Sequence, residues 1–198
     1  MHILLQTKRL ALRRLTAADL DRLYALDNDP EVMRYINGGT PTPRAVVERD
    51  ILPVFLRYDE RRPGFGFWAA AERASGEWLG WFCFRLSQET PGQVILGYRL
   101  RSSAWGQGYA TEGARALIRK GFEGWGVQRV VATTYQENRA SRRVMEKLGM
   151  ALVRRFRLTA EDLAQSDTHH AESLEVWDGD EVEYAIDLDT WKRRQAPQ

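Results

Sequence analysis

The chain has 198 residues, of which 43% are hydrophobic and 28% are charged, a composition typical of an ordinary globular protein. The length predicts one domain with a substantial hydrophobic core. The formal net charge is only +2 because 29 basic and 27 acidic residues nearly cancel, so we expect no nucleic-acid partner. No apolar run approaches the roughly 18 residues of a membrane helix, so we expect no membrane span.

Cysteine and histidine usage argues against two further kinds of site. Cys83 is the single cysteine, so no internal disulfide can form, and its apolar neighbours predict a buried thiol rather than a nucleophile. The adjacent His169 and His170 have no third ligand beside them, so we expect no metal. The N-terminus lacks the apolar run of a secretory leader, and the simplest expectation is a cytoplasmic protein.

The first part of the chain carries both strand and helix signals. Residues 7–14 alternate in polarity and predict one strand. A helix is expected to begin at Thr16 and to end before Pro30. The Thr42-Pro43 pair predicts the start of a second helix, which Pro53 should kink.

The rest of the chain predicts strands interleaved with two helices. The expected strands are 65–72, 78–86, 93–100, 127–135, 150–158 and 182–188, and the expected helices are 112–124 and 139–148. The first three strands should form an antiparallel meander, whereas 159–180 is an acidic, irregular segment. This order predicts an α+β (mixed α/β) fold in a single domain over 1–194, with a frayed end at 195–198.

The segment from Trp105 to Glu112 is the most informative in the chain. It joins a predicted strand to a predicted helix and contains Gly106 and Gly108. A glycine-rich turn there leaves backbone N–H groups unpaired at the positive end of the helix dipole, which favours phosphate. The turn has no P-loop lysine, and Thr111 replaces the third glycine of the dinucleotide fingerprint. A plain tight turn is the alternative interpretation.

Three motifs in chain order resemble the GNAT acetyltransferase superfamily, and within it the RimJ/RimL-like branch of ribosomal-protein-alanine N-acetyltransferases. Trp105-Gly106-Gln107-Gly108-Tyr109-Ala110 is similar to the acetyl-CoA signature Arg/Gln-x-x-Gly-x-Gly/Ala, with Trp105 in the first place. A second motif of the branch, Asn-x-x-Ser followed by a helix that ends in Lys-Leu-Gly-Phe/Met, is similar to Asn138-Arg139-Ala140-Ser141 and Glu146-Lys147-Leu148-Gly149-Met150. Asp29-Pro30-Glu31-Val32-Met33-Arg34-Tyr35 looks like its N-terminal helix-to-loop segment.

The resemblance implies a fold and a co-substrate. The fold is a single central mixed sheet of about seven strands, splayed in the middle and flanked by helices. The co-substrate is acetyl-CoA, with its diphosphate on the turn amides, its pantetheine along the edge of the preceding strand, and Ser141 near its sulfur. The implied cofactor-binding residues are Tyr98, Leu100, Arg101, Trp105, Gly106, Gln107, Gly108, Tyr109, Ala110, Thr111, Asn138 and Ser141. Helix capping is the alternative role for Asn138 and Ser141.

Acetylation of an amine also needs a proton acceptor for the amine and a donor for the leaving thiolate. Ser141 is the candidate donor, although a thiol pKa of about 8.5 means that the thiolate needs little help. Glu31, Glu72 and Glu112 are candidate bases, and none stands out. Glu112 lies at a helix start, where the dipole favours a carboxylate in any case. Glu31 lies in the segment that the resemblance places on the acceptor side, so the predicted catalytic residues are Ser141 and Glu31.

We therefore expect direct transfer of an acetyl group from acetyl-CoA to a primary amine in a ternary complex. The resemblance makes a protein or peptide N-terminal α-amine the first choice. Amine basicity is compatible with it, because roughly 10% of an α-amine is uncharged at neutral pH, against about 0.04% of a lysine amine. A small amine, such as an amino acid, a polyamine or an antibiotic, is the alternative, since the acidic 159–180 segment would attract a cation. The third hypothesis is a regulatory module that binds CoA and catalyses no reaction. The expected state is a monomer or a homodimer.

Overall fold

The computed structural model describes residues 3–57, 64–159 and 179–195, and these residues form one mixed eight-stranded sheet. The strands are β1 (Ile3–Gln6), β2 (Leu10–Arg14), β3 (Gly66–Glu72), β4 (Trp78–Leu86), β5 (Gln93–Leu100), β6 (Arg129–Tyr135), β7 (Ala151–Phe156) and β8 (Glu181–Asp187). Their spatial order is β1-β2-β3-β4-β5-β6-β8-β7, with β5 and β6 parallel. The mixed α/β prediction is confirmed, with eight strands instead of about seven. Most of the acidic 159–180 segment, including both histidines, lies outside the described residues.

The extra strand is β1, which the sequence does not predict, whereas the strand predicted over 7–14 is present as β2 but begins only at Leu10. β1 and β2 form an antiparallel hairpin. Thr7 closes its turn: the Thr7 N–H donates to the Leu10 carbonyl at 2.8 Å, and its hydroxyl oxygen accepts from the Leu10 N–H at 2.9 Å. Alternating polarity continues through this turn, so the period of the sequence alone does not locate the chain reversal.

Helices cover both faces of the sheet. They are α1 (Leu20–Asp27), α2 (Pro30–Asn37), α3 (Arg44–Val46), a π-helical stretch (Val47–Ile51), α4 (Leu52–Arg57), α5 (Tyr109–Gly124), α6 (Arg139–Lys147) and α7 (Leu188–Gln195). The irregularity expected at Pro53 takes the form of the π-helical stretch directly before it. A proline removes one backbone donor and crowds the preceding turn, and a wider turn accommodates both effects.

Two of these helices lie where the residues predict none. α2 begins at Pro30, the residue expected only to end α1. The Asp29 side chain accepts from the Glu31 N–H at 3.0 Å, and proline suits the first helical position because its missing N–H would be unpaired there. α7 follows β8 without a loop, so the alternation of the strand masks the helix start. Trp191 of α7 packs on Phe122 with ring centroids 5.4 Å apart.

Two hydrophobic clusters pack on the two faces of the sheet. The larger lies between the sheet and α5 and α6, and includes Phe82 and Phe84. Gly113 and Gly121 of α5 face these rings, and a Cβ on either glycine would lie only 2.4 or 2.7 Å from a ring atom. The missing side chains therefore let α5 approach the sheet closely. The second cluster packs α1 and the 44–57 helical segment on the other face. In the described ranges no helix is long and apolar enough to span a membrane.

The sheet opens between its two central strands, as the resemblance implies. β5 and β6 pair only over Gln93–Ile95 and Arg129–Val131. Beyond that point residues 96–100 of β5 remain paired with β4, and residues 132–135 of β6 remain paired with β8. The two halves of the sheet therefore diverge as a V, and the open end of the V lies next to the glycine turn that follows β5.

Candidate active site

The V between β5 and β6 forms a cleft of about 710 Å³, a size typical of small-molecule sites. Its walls come from α2, the central strands, the glycine turn, α6 and the first residue of β8. The predicted site residues that line it are Glu31, Tyr98, Leu100, Trp105, Gly106, Gly108, Tyr109, Ala110, Thr111, Asn138 and Ser141. Arg101 and Gln107, predicted with them, lie outside the lining.

The glycine turn presents backbone donors to the cleft. Gly106 and Gly108 have left-handed φ angles of 74° and 83°, which glycine adopts without strain, and α5 begins at Tyr109. Within the described part of the chain, the N–H groups of residues 106–111 make no hydrogen bond of ordinary geometry. A Cβ on Gly106 would meet nothing within 4 Å, so the space above the turn is open. Unpaired amides at the start of a 16-residue helix fit a diphosphate.

Arg9, which no sequence signal indicates, holds this turn in place. Its guanidinium donates to the Gln107 carbonyl at 2.9 Å and to the Glu112 carboxylate at 2.6 Å, and it stacks 4.5 Å from the centroid of the Tyr109 ring. Glu112 also accepts from the Thr7 hydroxyl at 2.5 Å. Burial alone would raise the pKa of Glu112, but the hydrogen bonds from Thr7 and Arg9 lower it. Glu112 is therefore an anchored carboxylate that ties α5 to the β1–β2 turn.

The edge of β5 faces the cleft with alternate residues. The Arg101 N–H donates to the Leu79 carbonyl at 2.9 Å, so this N–H points towards β4 and not into the V. Because N–H groups alternate in direction along an antiparallel ladder, those of Tyr98 and Leu100 point the other way, into the V. The Leu100 carbonyl accepts from the Trp105 indole at 2.8 Å, which joins the strand end to the turn. The two N–H groups are therefore edge donors that face the cleft.

Two hydroxyl groups meet at the wall formed by α6. Asn138 caps the helix, accepting from the Ser141 N–H at 3.1 Å, so the capping role that the sequence left open is present alongside its place in the cleft. The Tyr98 hydroxyl lies 3.0 Å from the Ser141 Oγ and also donates to the Ser141 carbonyl at 3.3 Å. Burial raises the pKa of Tyr98 to about 12, against a smaller opposing effect of Ser141. Tyr98 therefore keeps its proton throughout the working pH range.

The opposite side of the cleft is a pocket with aromatic walls. Its lining includes Phe67, Trp81, Tyr35 and Tyr135. The two tyrosine rings stack with their centroids 6.0 Å apart. Arg85 of β4 lies in the same pocket, with its guanidinium carbon 5.9 Å from the centroid of Phe67. The Arg85 Nε is buried and has no hydrogen-bond acceptor among the described residues. We call this region the acceptor pocket.

The position of α2 over this pocket is set by polar contacts to β5 and the residues after it. A buried ion pair joins Arg99 of β5 to Asp27 at the end of α1, with 2.5 Å between nitrogen and oxygen. Ser102 donates to the Asp29 carboxylate at 2.8 Å. Both carboxylates flank the α1–α2 junction, so α2 is held against the cleft. Glu31, in the first turn of α2, lies exposed at the rim.

Glu181 is a further cleft residue that the sequence interpretation missed. It is the first residue of β8, lies opposite Tyr135 in the ladder, and lines the cleft. Burial raises its pKa to about 7. The period-2 alternation of β8, which puts Glu181 and Glu183 on one face, was the available signal. By contrast Glu72, a candidate base, accepts from Tyr109 and does not line the cleft.

Among the residues that the structure describes, Cys83 and the potential metal ligands offer no second site. Cys83 is buried as predicted, and burial raises the pKa of its thiol, which therefore stays protonated. Within 3–57, 64–159 and 179–195, no three His, Cys, Asp or Glu side chains are grouped to hold a metal ion.

Comparison with known proteins agrees with this geometry. A family model described as an acetyltransferase (GNAT) domain matches residues 9–151. The chain belongs to the GNAT acetyltransferase family. This GNAT protein is 32% identical, over 98% of its length, to the FsC-acetyl coenzyme A-N(2)-transacetylase of Aspergillus fumigatus, and the match covers 80% of that relative. It is accordingly an acetyl-CoA-dependent N-acetyltransferase.

Solved structures share its fold at low sequence identity. RimL, a ribosomal L7/L12 alpha-N-protein acetyltransferase in complex with coenzyme A, matches with a TM-score of 0.74 and 19% identity, covering 96% of this chain and 99% of that one. A spermidine N-acetyltransferase from Vibrio cholerae, in complex with CoA and spermine, matches with a TM-score of 0.70 and 13% identity, covering 94% and 99%. The two act on different kinds of amine, so the fold by itself does not select the acceptor.

Proposed function

We propose that this GNAT enzyme acetylates α-amines, and that its first acceptor class is the N-terminal amine of a protein or peptide. The observation that carries the proposal is Arg85 in the acceptor pocket. Arg85 lines the cleft between the Phe67 ring and the Cys83 thiol, and its guanidinium would bind a carbonyl or carboxylate oxygen of the acceptor. Every α-amine carries such an oxygen-bearing group on the adjacent carbon. A polyamine presents only further cations, which Arg85 would repel.

The turn and the β5 edge account for the donor half of the reaction. The N–H groups of residues 106–111 would hold the diphosphate, and those of Tyr98 and Leu100 the pantetheine arm. The amine nitrogen attacks the thioester carbonyl carbon, the new C–N bond forms, and the C–S bond breaks with its electron pair leaving on sulfur. A backbone N–H of the same edge stabilises the negative charge on the carbonyl oxygen, an effect worth roughly 2.7–4 kcal/mol in acyl transfer.

The hydroxyl pair of Tyr98 and Ser141 would serve the departing thiolate. A proton held at a pKa of about 12 does not move to a thiolate whose conjugate acid has a pKa of about 8.5. The pair therefore stabilises the thiolate by hydrogen bonding, with Tyr98 orienting Ser141, and does not act as an acid. This agrees with an assisting role for Ser141.

Peptide acceptors are supported by the motifs that resemble the RimJ/RimL-like branch and by the fold shared with RimL, which acts on a ribosomal protein. A small-molecule amine is the second candidate. It is favoured by the Aspergillus relative, whose name describes transfer from acetyl coenzyme A to an N(2) position. A peptide N-terminus and a small α-amine would both match the chemistry of the acceptor pocket. A cytoplasmic location would suit the peptide acceptor.

Thiol release with a panel of amines tests the proposal. The panel contains peptides with free N-termini, the same peptides with blocked N-termini and one lysine, free amino acids, spermidine and an aminoglycoside. We expect release with free N-termini or amino acids and none with the blocked lysine peptides. Release with spermidine or the aminoglycoside alone would contradict the α-amine assignment, and release with free amino acids but not peptides would select the second candidate.

A further inference from the structure

Glu181 is a carboxylate in the cleft with no assigned task. It lies at the start of β8, opposite Tyr135 of β6 and Phe156 of β7. In the ladder it shares a face with Tyr135, whose ring stacks on Tyr35 at the acceptor pocket. Glu181 therefore lies on the acceptor side of the V. In the described part of the chain its carboxylate has no hydrogen-bond or ion-pair partner.

Charged and titratable groups surround Glu181 on every flanking element. They are Glu183, Tyr184 and Asp187 on β8, Arg129 and Tyr135 on β6, Arg154 and Arg155 on β7, and Glu31, Arg34 and Tyr35 on α2, while Arg85, Arg99, Arg143 and Lys147 line the same cleft. Glu183, two residues along β8, pairs with Arg154 of β7 at 2.9 Å. Glu31 and Arg34 belong to α2 across the cleft. No cation is bound to Glu181 among these residues, so the carboxylate is free to accept a proton.

We propose that Glu181 is the general base that takes the proton from the acceptor ammonium. One N–H bond of the ammonium breaks, its electron pair stays on nitrogen for the attack on the thioester, and the proton moves to the Glu181 carboxylate and then to water. The second proton leaves nitrogen as the intermediate collapses and finishes on the CoA sulfur. The inference rests on the proposed function and narrows its substrate class to weakly basic amines.

The substrate class is narrowed to weakly basic amines because of the pKa difference between Glu181 and the acceptor ammonium. Burial raises the pKa of Glu181 to about 7. An α-ammonium has a pKa of about 7.7–8.0, so proton transfer to Glu181 is unfavourable by only about tenfold. For a lysine-like ammonium of pKa about 10.4 the transfer is unfavourable by more than about a thousandfold. A carboxylate with the ordinary glutamate pKa of about 4.3 would be a far weaker base for either amine.

The pH dependence of Glu181→Gln tests the assignment, with an N-terminal peptide as acceptor and saturating acetyl-CoA. For the wild type kcat should rise with pH through about 7, because the base acts only when deprotonated. At pH 7 the variant should lose about 10²–10⁴-fold in kcat, with the KM for acetyl-CoA unchanged. At pH 9.5 the peptide amine is already neutral, so the deficit should shrink to about tenfold or less.

Two further variants and one titration complete the experiment. Glu183→Gln, on the same face of β8 but outside the cleft lining, should keep its turnover within about twofold. A carboxyl ¹³C signal that titrates near pH 7 in the wild type should be missing in Glu181→Gln. The assignment would be overturned by any of three results. They are a pH dependence of kcat that is unchanged in Glu181→Gln, a loss of kcat in Glu181→Gln that is equal at every pH, and a pH-dependent loss of kcat in Glu31→Gln instead. A wild type that transfers acetyl to no amine would remove the proposed function, and this inference with it.

Discussion

At the scale of single residues, the donor half of the cleft depends on backbone conformation more than on side chains. Gly106 and Gly108 adopt left-handed angles, and the N–H groups of residues 106–111 make no hydrogen bond of ordinary geometry to the described residues. That feature is visible in the sequence, because glycine is the residue that adopts such angles freely. The residues that hold the turn from outside, above all Arg9, are not visible, because they are about a hundred positions away.

Gly108→Glu should lower CoA affinity by at least about a hundredfold. A Cβ at this position would lie 3.5 Å from the guanidinium of Arg9, so the new carboxylate would compete for the residue that holds the turn, and the left-handed φ of 83° would strain a side chain by about 1–2 kcal/mol. Gly108→Asn is the matched control, since asparagine tolerates this conformation and carries no charge. Isothermal titration calorimetry with CoA measures both. Equal, wild-type affinity in the two variants would place the diphosphate elsewhere.

Ser141→Ala should lower kcat less than about a hundredfold and leave CoA affinity nearly unchanged. The thiolate is a good leaving group near its pKa of about 8.5, so one hydrogen bond is a modest contribution. Steady-state kinetics at saturating peptide give the number, and Tyr98→Phe, which keeps the ring but removes the neighbouring hydroxyl, is the comparison. A drop well beyond a hundredfold in Ser141→Ala alone would make Ser141 the main proton donor.

At the scale of elements, the sequence predicts interiors better than junctions. β3, β4, β5 and β6 lie where alternation and apolar runs place them, whereas the β1–β2 turn, α2 and α7 are missed. The missed junctions have short spacers or none: three residues separate β1 from β2, two separate α1 from α2, and α7 directly follows β8. Period-based prediction needs several residues of one pattern before a change is detectable.

One junction also carries the clearest pH-dependent contribution to stability. Burial would raise the pKa of Asp19, before α1, but the Arg13 guanidinium at 2.5 Å, the Thr16 N–H at 3.0 Å and Arg22 together lower it to about 2. The folded-state pKa is thus below the unfolded value of 3.8. The stabilisation is fully present above about pH 4 and is lost as the pH falls towards 2.

Asp19→Asn should destabilise the protein by about 3–5 kcal/mol at pH 7, because it leaves the buried Arg13 without its carboxylate. The difference from the wild type should shrink as the pH is lowered from 4 towards 2. Urea unfolding at several pH values measures it. Asp50→Asn, which breaks an exposed pair with Arg49, should leave the free energy of unfolding nearly unchanged. A difference for Asp19→Asn that does not vary with pH would contradict the ionised pair.

At the scale of the whole molecule, the site is a gap in the sheet. β5 and β6 share only three paired residues on each strand, and the cleft walls belong to both halves of the sheet. Acetyl-CoA seated in the V would contact both halves at once. A ligand that binds the folded state and not the unfolded one stabilises the whole fold by mass action.

Acetyl-CoA at about 100 times its Kd should therefore add roughly 2.7 kcal/mol of stability. For a chain of this size that corresponds to a rise in Tm of roughly 5–10 °C. Thermal unfolding with and without acetyl-CoA gives the shift, and Gly108→Glu at the same concentration should show almost none. An equal shift in both proteins would mean that the stabilising contacts do not involve the turn.

The sequence by itself determined the glycine turn between β5 and α5, the strand and helix interiors, the buried Cys83 and the family, because each of these follows local rules. Backbone preferences and periodicity act over a few neighbouring residues, so they are readable in order along the chain. Only the tertiary structure decided that Arg9 holds the turn, that the N–H of Arg101 points away from the cleft, and that Arg85 and Glu181 share it. Those outcomes depend on strand order and register, which bring together residues from β4 and β8 that lie about a hundred positions apart.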